Sequence, residues 1–247
     1  MKFRSLSSLF VIGSLVLLQG CQSASTPSVS EPGTGANASK DATKEELSGK
    51  LKIAKEKFQG NGLNYSGLLY ELPLTYLVTQ TGEKPEEGVS TTTFLSEEKD
   101  VWKFSRTRTG SLIRIMGDDK VEVNAKGIFV TEISMGKLEQ PMMELPNNLA
   151  VGTTWDVTSV VDGEGGTKVK QVSKYKVTKE ESMTTKAGTF NCLVIEATSD
   201  GSTKDKKVTA KSTFWYAEPF GAVKMVTELT QMESLKQVFS VELVKIK

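Results

Sequence analysis

From Leu63 to the end of the chain, apolar and polar residues alternate along successive short segments. Between Ser173 and Val177, apolar or small residues alternate with lysines, which is the period of a half-buried antiparallel strand. The same period recurs at Trp102 to Phe104, Val208 to Tyr216 and Phe239 to Leu243. Turn signals separate these segments: Gly117 to Asp119, Lys126–Gly127, Asp162 to Gly166 and Asp200–Gly201. The pattern predicts a mainly β fold, with roughly ten or more antiparallel strands in a sandwich or a strongly curved sheet.

One N-terminal helix is predicted before the strands. The segment Thr43 to Glu46 has the residue types of a capping box, which satisfies free amides at the start of a helix. Apolar residues then recur at helical spacing on one face: Leu47, Leu51, Ala54 and Phe58. We expect this helix to end near Gly60 and to direct its apolar face towards the core.

The N-terminus has the layout of an export signal. Two basic residues, Lys2 and Arg4, precede an apolar run from Leu9 to Leu18, which is too short to span a bilayer comfortably as a helix. Gly20 and Cys21 follow shortly after this run. The sequence resembles the lipobox of bacterial lipoproteins, in which cleavage precedes a cysteine that carries a diacylglyceryl group. An ordinary secretory signal with an incidental cysteine is the alternative.

The lipobox resemblance implies how the chain is divided. Residues 1–20 are the signal peptide, residues 21–42 are a flexible tether that starts at the lipidated Cys21, and residues 43–247 are a β-rich envelope domain with a candidate boundary at 141–148. The tether is rich in small and polar residues and cannot bury enough apolar surface to order itself. Palmitate or a related acyl chain on Cys21 would anchor the exported protein to a membrane. Gln22 follows the cysteine, which favours the outer membrane if the source has two membranes.

Three motifs follow one another in the second half of the chain. They are Val151 to Trp155, Lys186 to Phe190 and Trp215 to Lys224. Together they resemble a group of uncharacterised bacterial envelope β-proteins that carry G-x-x-W, A-G-T-F and W-Y-A-x-x-x-G-x-V-K sequences. The resemblance covers about residues 145–229. It implies an antiparallel envelope domain and assigns no catalytic residue.

Composition narrows the chemistry that the chain can perform. It has no histidine and only two cysteines, which excludes His-dependent triads, His-ligated metals and a disulfide framework. The net charge of +1 supplies no general attraction to nucleic acid. The glycine-rich segments match neither a phosphate-binding loop nor a dinucleotide fingerprint. We therefore expect no metal, no cofactor and no nucleic-acid partner.

Three arginines lie close together in the chain: Arg106, Arg108 and Arg114. The first two share strand parity with Trp102, and a partner strand that begins near Leu112 would bring the third close. Guanidinium groups bind carboxylate and phosphate through paired hydrogen bonds. The cluster is therefore the candidate anion site, for a lipid headgroup, a peptidoglycan carboxylate or a phosphorylated polymer. The alternative is a solvated strand face that discourages aggregation.

The neighbouring Trp215 and Tyr216 are the candidate aromatic platform for a ligand. Adjacent residues of a strand point to opposite faces, so one of the two rings is expected to face away from the core. Core packing is the alternative for both rings, and it is also what we expect of Trp155 and Phe190.

The remaining candidates for chemistry have structural interpretations. The acidic pairs Asp118/Asp119 and Asp162/Glu164 fall in predicted turns, where solubility explains them better than glycosidase or calcium chemistry. Cys192 lies in an apolar strand with no histidine to activate it, so we expect a buried, inert thiol. No catalytic residue is assigned.

These features favour a non-enzymatic, lipid-anchored envelope protein whose β domain binds or scaffolds an envelope polymer, lipid or protein. The first alternative is a carrier that holds an acyl chain or lipid in a cavity of the curved sheet. The second is an envelope hydrolase that works without histidine, through carboxylates or a Ser-Lys pair. An apolar pocket with an open mouth would favour the carrier. A closed core with an exposed aromatic or arginine face would favour the binding module.

Overall fold

The computed structural model describes residues 8–11, 14–17, 52–53, 56–58, 60–134, 136–162, 168–202, 207–231 and 235–247. Cys21, the predicted tether and the predicted capping box lie outside the described residues. Residues 52–53 and 56–58, which belong to the predicted N-terminal helix, are helical. Within the described ranges, no helix is both long and apolar enough to cross a bilayer.

Strands dominate the described chain. They are β1 (Ser8–Val11), β2 (Ser14–Leu17), β3 (Leu74–Gln80), β4 (Glu86–Glu98), β5 (Val101–Gly110), β6 (Asp119–Asn124), β7 (Gly127–Ile133), β8 (Lys137–Leu138), β9 (Met142–Pro146), β10 (Thr154–Asp162), β11 (Lys168–Thr185), β12 (Gly188–Ser202), β13 (Lys207–Ala217), β14 (Gly221–Gln231) and β15 (Leu235–Ile246). Two short helices, α1 (Gly62–Tyr65) and α2 (Ser111–Met116), accompany them.

Thirteen of these strands form one antiparallel sheet, in the order β8-β10-β11-β12-β13-β14-β15-β3-β4-β5-β6-β7-β9. Strands from the first and second halves of the chain meet where β15 pairs with β3, with Val241 opposite Val78. The candidate boundary at 141–148 contains β9, which belongs to the same sheet. The sheet is therefore continuous across both halves.

The connection between β7 and β10 shows how strongly the sheet curls. Ile133 at the end of β7 forms a bridge with Gly136, and Leu138 pairs with Val161 of β10 at the opposite edge. Consecutive Cα atoms are only about 3.8 Å apart, so the two edges of the sheet must approach each other closely. The chain then returns as β9 beside β7. The predicted mainly β, strongly curved antiparallel sheet is confirmed, and its curved form replaces the sandwich that the sequence left open.

The inner face of the curled sheet forms the core. In β10 and in the first half of β11, buried residues alternate with exposed ones, as their period of two predicts. The largest fully buried side chains include Phe104, Phe239, Leu229, Ile195 and Val121. Each such side chain contributes about 1.5–3 kcal/mol by leaving water, so the inner face supplies most of the apolar driving force.

Two segments that contain glycine differ in structure. Gly221 begins β14 with a φ of 83°, directly after the turn at 218–220, and glycine adopts this angle without a steric penalty. The predicted turn at Asp200–Gly201 is wrong, because both residues lie in β12. Gly201 pairs with Gln171 of β11 on one side and with Val208 of β13 on the other. Hydrogen bonds from two flanking strands override the local turn preference of this dipeptide.

The strands β1 and β2 pair only with each other, in a separate two-stranded sheet. They come from the apolar run of the predicted signal peptide. β1 lies against α2 and β14, and β2 lies against β10 and β11.

Candidate functional site

A row of buried side chains on β5 carries two arginines into the curled sheet. Trp102, Phe104, Arg106 and Arg108 are all buried and alternate with more exposed residues. Arg106 is 8% exposed and Arg108 is 6% exposed. The predicted strand parity is confirmed, while the solvated face is wrong for these two arginines. They lie inside because the strand period places them on the same face as the aromatic residues.

Arg106 joins three strands through its guanidinium group. Its Nη1 and Nη2 donate to the two carboxylate oxygens of Glu144 on β9, at 2.9 and 2.8 Å. Its Nε donates to Oδ1 of Asp119 on β6, at 2.6 Å. This is the paired geometry that makes arginine suited to carboxylates. In this molecule the carboxylates are supplied by the protein itself.

Arg108 shares the same aspartate. Its Nη1 donates to Oδ2 of Asp119 at 2.9 Å and to the carbonyl oxygen of Gly117 at 2.5 Å. Its backbone amide donates to the carboxylate of Asp118 at 2.6 Å. The pair Asp118/Asp119 is therefore more than a soluble turn, because Asp119 begins β6 and is buried at 9% exposure.

The third arginine lies apart from this network. Arg114 and Leu112 belong to the helix α2, so the expectation of a partner strand beginning near Leu112 is wrong. The residues Gly110 and Gly117 flank this helix with φ angles of 62° and 61°, which lets the chain leave β5, form one short helix and return as β6. The guanidinium of Arg114 is exposed and forms an ion pair with Glu86.

The buried charges stabilise one another. Burial alone would lower the pKa of Arg106, but the attraction of Asp119 and Glu144 raises this pKa well above its ordinary value. Burial alone would raise the pKa of Asp119, but the attraction of Arg106 and Arg108 keeps it below its ordinary value. The two guanidinium groups and two carboxylates carry equal and opposite charge. We call these four residues, Arg106, Arg108, Asp119 and Glu144, the charge network, and its formal charge is zero.

A partly open cavity of about 70 Å³ lies beside the charge network, inside the curled sheet. Its polar lining includes Arg106, Arg108, Glu144 and the hydroxyl-bearing residues Tyr76, Ser90, Thr92 and Tyr216. Its apolar lining includes Leu74, Leu112, Met116, Phe220, Met225 and Val241. The cavity is therefore amphipathic, neither a purely apolar pocket nor a closed core.

The tyrosines that line the cavity are uncharged at neutral pH. Burial raises the pKa of Tyr76 to about 12, although Arg108 and Arg106 lower it. Burial also raises the pKa of Tyr216 well above its ordinary value, with a further contribution from Glu144. Both hydroxyl groups keep their protons and can donate hydrogen bonds.

The structure separates the two rings of the candidate aromatic platform. Tyr216 is buried and lines the cavity, while Trp215 on the other face is half-buried. The indole Nε1 of Trp215 donates to a carboxylate oxygen of Glu181 at 2.5 Å. Trp155 is buried, as predicted, and stacks on Tyr175 with ring centroids 5.0 Å apart. Phe190 is only partly buried and packs edge-on against Phe220.

Cys192 is buried, as predicted. Burial raises the pKa of its thiol to about 11, with a smaller contribution from Glu181. At neutral pH the thiol is protonated, and the thiolate that would act as a nucleophile is scarce.

Sequence reasoning missed the two carboxylates of the charge network. Glu144 stands between apolar residues in Met142 to Pro146, and a single acid inside an apolar run was the available signal. Asp119 follows Gly117 and Asp118, so the residue types around it indicated a turn. Neither residue could be paired with its arginine before the strand order was known.

Comparisons with known proteins agree with this architecture. Residues 115–228 match the DUF3108-like family. The matched segment contains Asp119 and Glu144 but begins after Arg106 and Arg108, so the charge network extends beyond it. A search of the curated proteins gives no match.

Two solved structures have a similar fold. One is a Parabacteroides distasonis protein named as a lipoprotein, with a TM-score of 0.56, 14% identity and coverage of 75% of this chain and 99% of that chain. The other is a Bacteroides fragilis protein named for export and for a YmcC-like fold, with a TM-score of 0.52, 15% identity and coverage of 72% and 95%. At these identities the likeness shows the fold.

Proposed function

We propose that the protein is an exported, lipid-anchored envelope protein that binds an acyl chain or lipid inside its curled sheet, without catalysing a reaction. In this proposal Cys21 carries the lipid, residues 21–42 form the tether and residues 43–247 form the binding domain. The outer membrane is the favoured location in a source with two membranes, because Gln22 follows the cysteine.

The amphipathic cavity is the observation that carries the binding proposal. It lies within the sheet, and its lining combines hydroxyl and guanidinium groups with methionine, leucine and valine side chains. A few convergent polar groups in an otherwise apolar pocket are typical of sites for small ligands. Because Arg106 and Arg108 are buried, their position supports a carrier in preference to a surface binding module.

The anchoring proposal draws support from the lipobox and from the names of the structural relatives. One relative is named for export and another as a lipoprotein. The non-enzymatic proposal draws support from the chemistry of the chain. Histidine is absent, and the thiol of Cys192 is buried with a pKa of about 11.

Cys21→Ser tests the anchor. The variant should lose labelling by a fatty-acid analogue and accumulate unprocessed or outside the membrane fraction, because no thiol remains at the lipobox position. Cys192→Ser is the matched control and should keep the label. Equal labelling of Cys21→Ser and the wild type would overturn the lipoprotein proposal.

A matched pair of substitutions tests the cavity. Thr92 lines the cavity and is paired across strands with Arg106, whereas the adjacent Thr93 is exposed on the outer face. A form in which an ordinary secretory signal replaces residues 1–21 should be exported without an anchor, purified from the native cell envelope without detergent and analysed by lipid mass spectrometry. Thr92→Leu should reduce the co-purified lipid, because its larger apolar side chain takes up cavity volume, and Thr93→Leu should not. Equal lipid content in both variants and in the wild type would rule out the cavity as the binding site.

A further inference from the structure

The unused hydrogen-bond donors of the cavity indicate which polar group it takes. We infer that the cavity holds an uncharged carbonyl group at the head of an acyl chain, an ester or an amide, in preference to a carboxylate or a phosphate. This inference rests on the proposed function, in which the cavity binds an acyl chain. It adds the chemical class of the head.

Three buried residues on the cavity wall have donors without a hydrogen-bond partner in the part of the chain that the structure describes. Nη1 of Arg108 bonds to Asp119 and Gly117, but its Nε and Nη2 have no partner among the described residues. Within the same described residues, no hydrogen-bond partner occurs for the hydroxyls of Tyr76 and Tyr216. These residues are 6%, 9% and 3% exposed, respectively. All three residues line the cavity, so a group held there meets hydrogen-bond donors and is bound through an acceptor.

The charge balance selects a neutral acceptor. Arg106 and Arg108 are already neutralised by Asp119 and Glu144, so a carboxylate in the cavity would add an unpaired negative charge. An unpaired buried charge is much more costly than a buried carbonyl group that receives hydrogen bonds. The acyl ester or amide satisfies the donors and leaves the charge network balanced.

The size and apolar lining of the cavity fit the group next to such a carbonyl. The volume of about 70 Å³ exceeds the roughly 10–15 Å³ that one water molecule needs. It accommodates a carbonyl group and the first carbons of a chain beside Leu112, Met116 and Met225. The rest of a long chain must leave through the open side of the cavity.

The head preference can be measured with probes that share one tail. The chain from residue 22 onward, which keeps β3 to β15, is delipidated and loaded with a fluorescent acyl probe. Methyl laurate, laurate and lauryl phosphate then compete for the site at pH 8. Methyl laurate should bind at least about tenfold more tightly than either anion, because only the anions add a buried charge.

A conservative variant tests whether a hydroxyl group on the cavity wall causes this preference. Tyr216→Phe removes one donor and keeps the ring, so the affinity for methyl laurate should fall by about two- to tenfold. Tyr70→Phe is the matched control, since its hydroxyl donates to the carbonyl oxygen of Lys247, outside the cavity lining. This control should bind like the wild type.

The outcomes separate this inference from the proposed function. Tighter binding of laurate or lauryl phosphate would overturn the neutral-head inference and restore an anion site at the arginines. Equal binding of all three probes would leave acyl-chain binding in place and remove the head preference. If no probe competes and the fluorescent acyl probe does not bind, the proposed function itself fails.

Discussion

Two regions on the inner face of the curled sheet are held together by different kinds of interaction. The charge network joins β5, β6 and β9 through hydrogen bonds between guanidinium groups and carboxylates. Across β10 and β11, the corresponding contact is a stacked aromatic pair. Trp155 lies directly opposite Tyr175, and the planes of the two rings differ by 7°. Both regions hold neighbouring strands together, one by directional bonds between charges and the other by apolar contact.

The two regions differ in sequence separation: Glu144 is further from Arg106 than Tyr175 is from Trp155. Trp155 and Tyr175 belong to neighbouring strands joined by one hairpin connection, so local pairing brings them together. Glu144 is 38 residues from Arg106, and its strand β9 lies three places further along the sheet. The two meet only because the sheet curls. The charge network therefore depends on the curvature and in turn fixes it, whereas the aromatic pair needs only its hairpin.

The largest loss of stability is expected when one partner of the charge network is removed. Glu144→Ala leaves Arg106 buried without its paired carboxylate and should lower the free energy of unfolding by about 3–5 kcal/mol. The measurement is urea denaturation followed by tryptophan fluorescence. Glu132→Ala on β7 is the matched control, because this glutamate is exposed in an ion pair with Lys120, and it should cost at most about 1 kcal/mol. Similar losses in the two variants would show that the buried pair has no special role.

The aromatic region should respond almost as strongly. Trp155→Ala removes a buried ring stacked on Tyr175 and should cost about 3 kcal/mol, through lost burial and the cavity that remains. The same denaturation experiment measures it. Phe190→Ala, which removes a partly buried ring from β12, should cost less. A change below about 0.5 kcal/mol for Trp155→Ala would place this ring outside the core and reopen a role in ligand stacking.

Acid should weaken the charge network and leave the aromatic pair unaffected. The folded-state pKa of Asp119 lies below its ordinary value: burial alone would raise it, but Arg106 and Arg108 outweigh burial. The resulting stabilisation is complete above the unfolded pKa of about 4 and is lost as the pH falls through the folded value.

Denaturation midpoints measured from pH 7 down to pH 3 test this dependence. Wild-type stability should fall below about pH 4, and Asp119→Asn should be less stable at neutral pH and less sensitive to acid. Asp156→Asn, at an exposed position of β10, should follow the wild-type curve. An unchanged acid response in Asp119→Asn would exclude this carboxylate as the source.

The smallest effect is expected at the arginine outside the network. Arg114→Ala breaks an exposed ion pair with Glu86 and should change stability by about 0–1 kcal/mol. Raising the salt concentration should reduce even this difference, because exposed charges are screened. A loss as large as that of Glu144→Ala would mean that Arg114 belongs functionally with Arg106 and Arg108.

The sequence by itself determined the elements and their faces. A period of two predicted strands such as β5 and β11, and it placed Trp102, Phe104, Arg106 and Arg108 on one side, because successive side chains of a strand alternate. It also predicted burial of Trp155 and Cys192, since bulky or apolar groups in such strands leave water. These inferences succeed because they depend only on near neighbours in the chain.

Only the tertiary structure decided which residues contact those faces. The curl of the sheet brings Glu144 of β9 across to β5. Together with Asp119 on the adjacent strand β6, it makes two candidate anion-binding arginines part of a balanced internal network. Flanking strands kept Asp200–Gly201 extended, and two glycines allowed a helix where a strand was expected at Leu112. The contact of Glu144 with Arg106 joins residues 38 apart in sequence, and the pairing of Gly201 with Gln171 joins separate strands. Local propensity carries no information about such contacts, because the free energy that decides them comes from burial and charge pairing in the folded state.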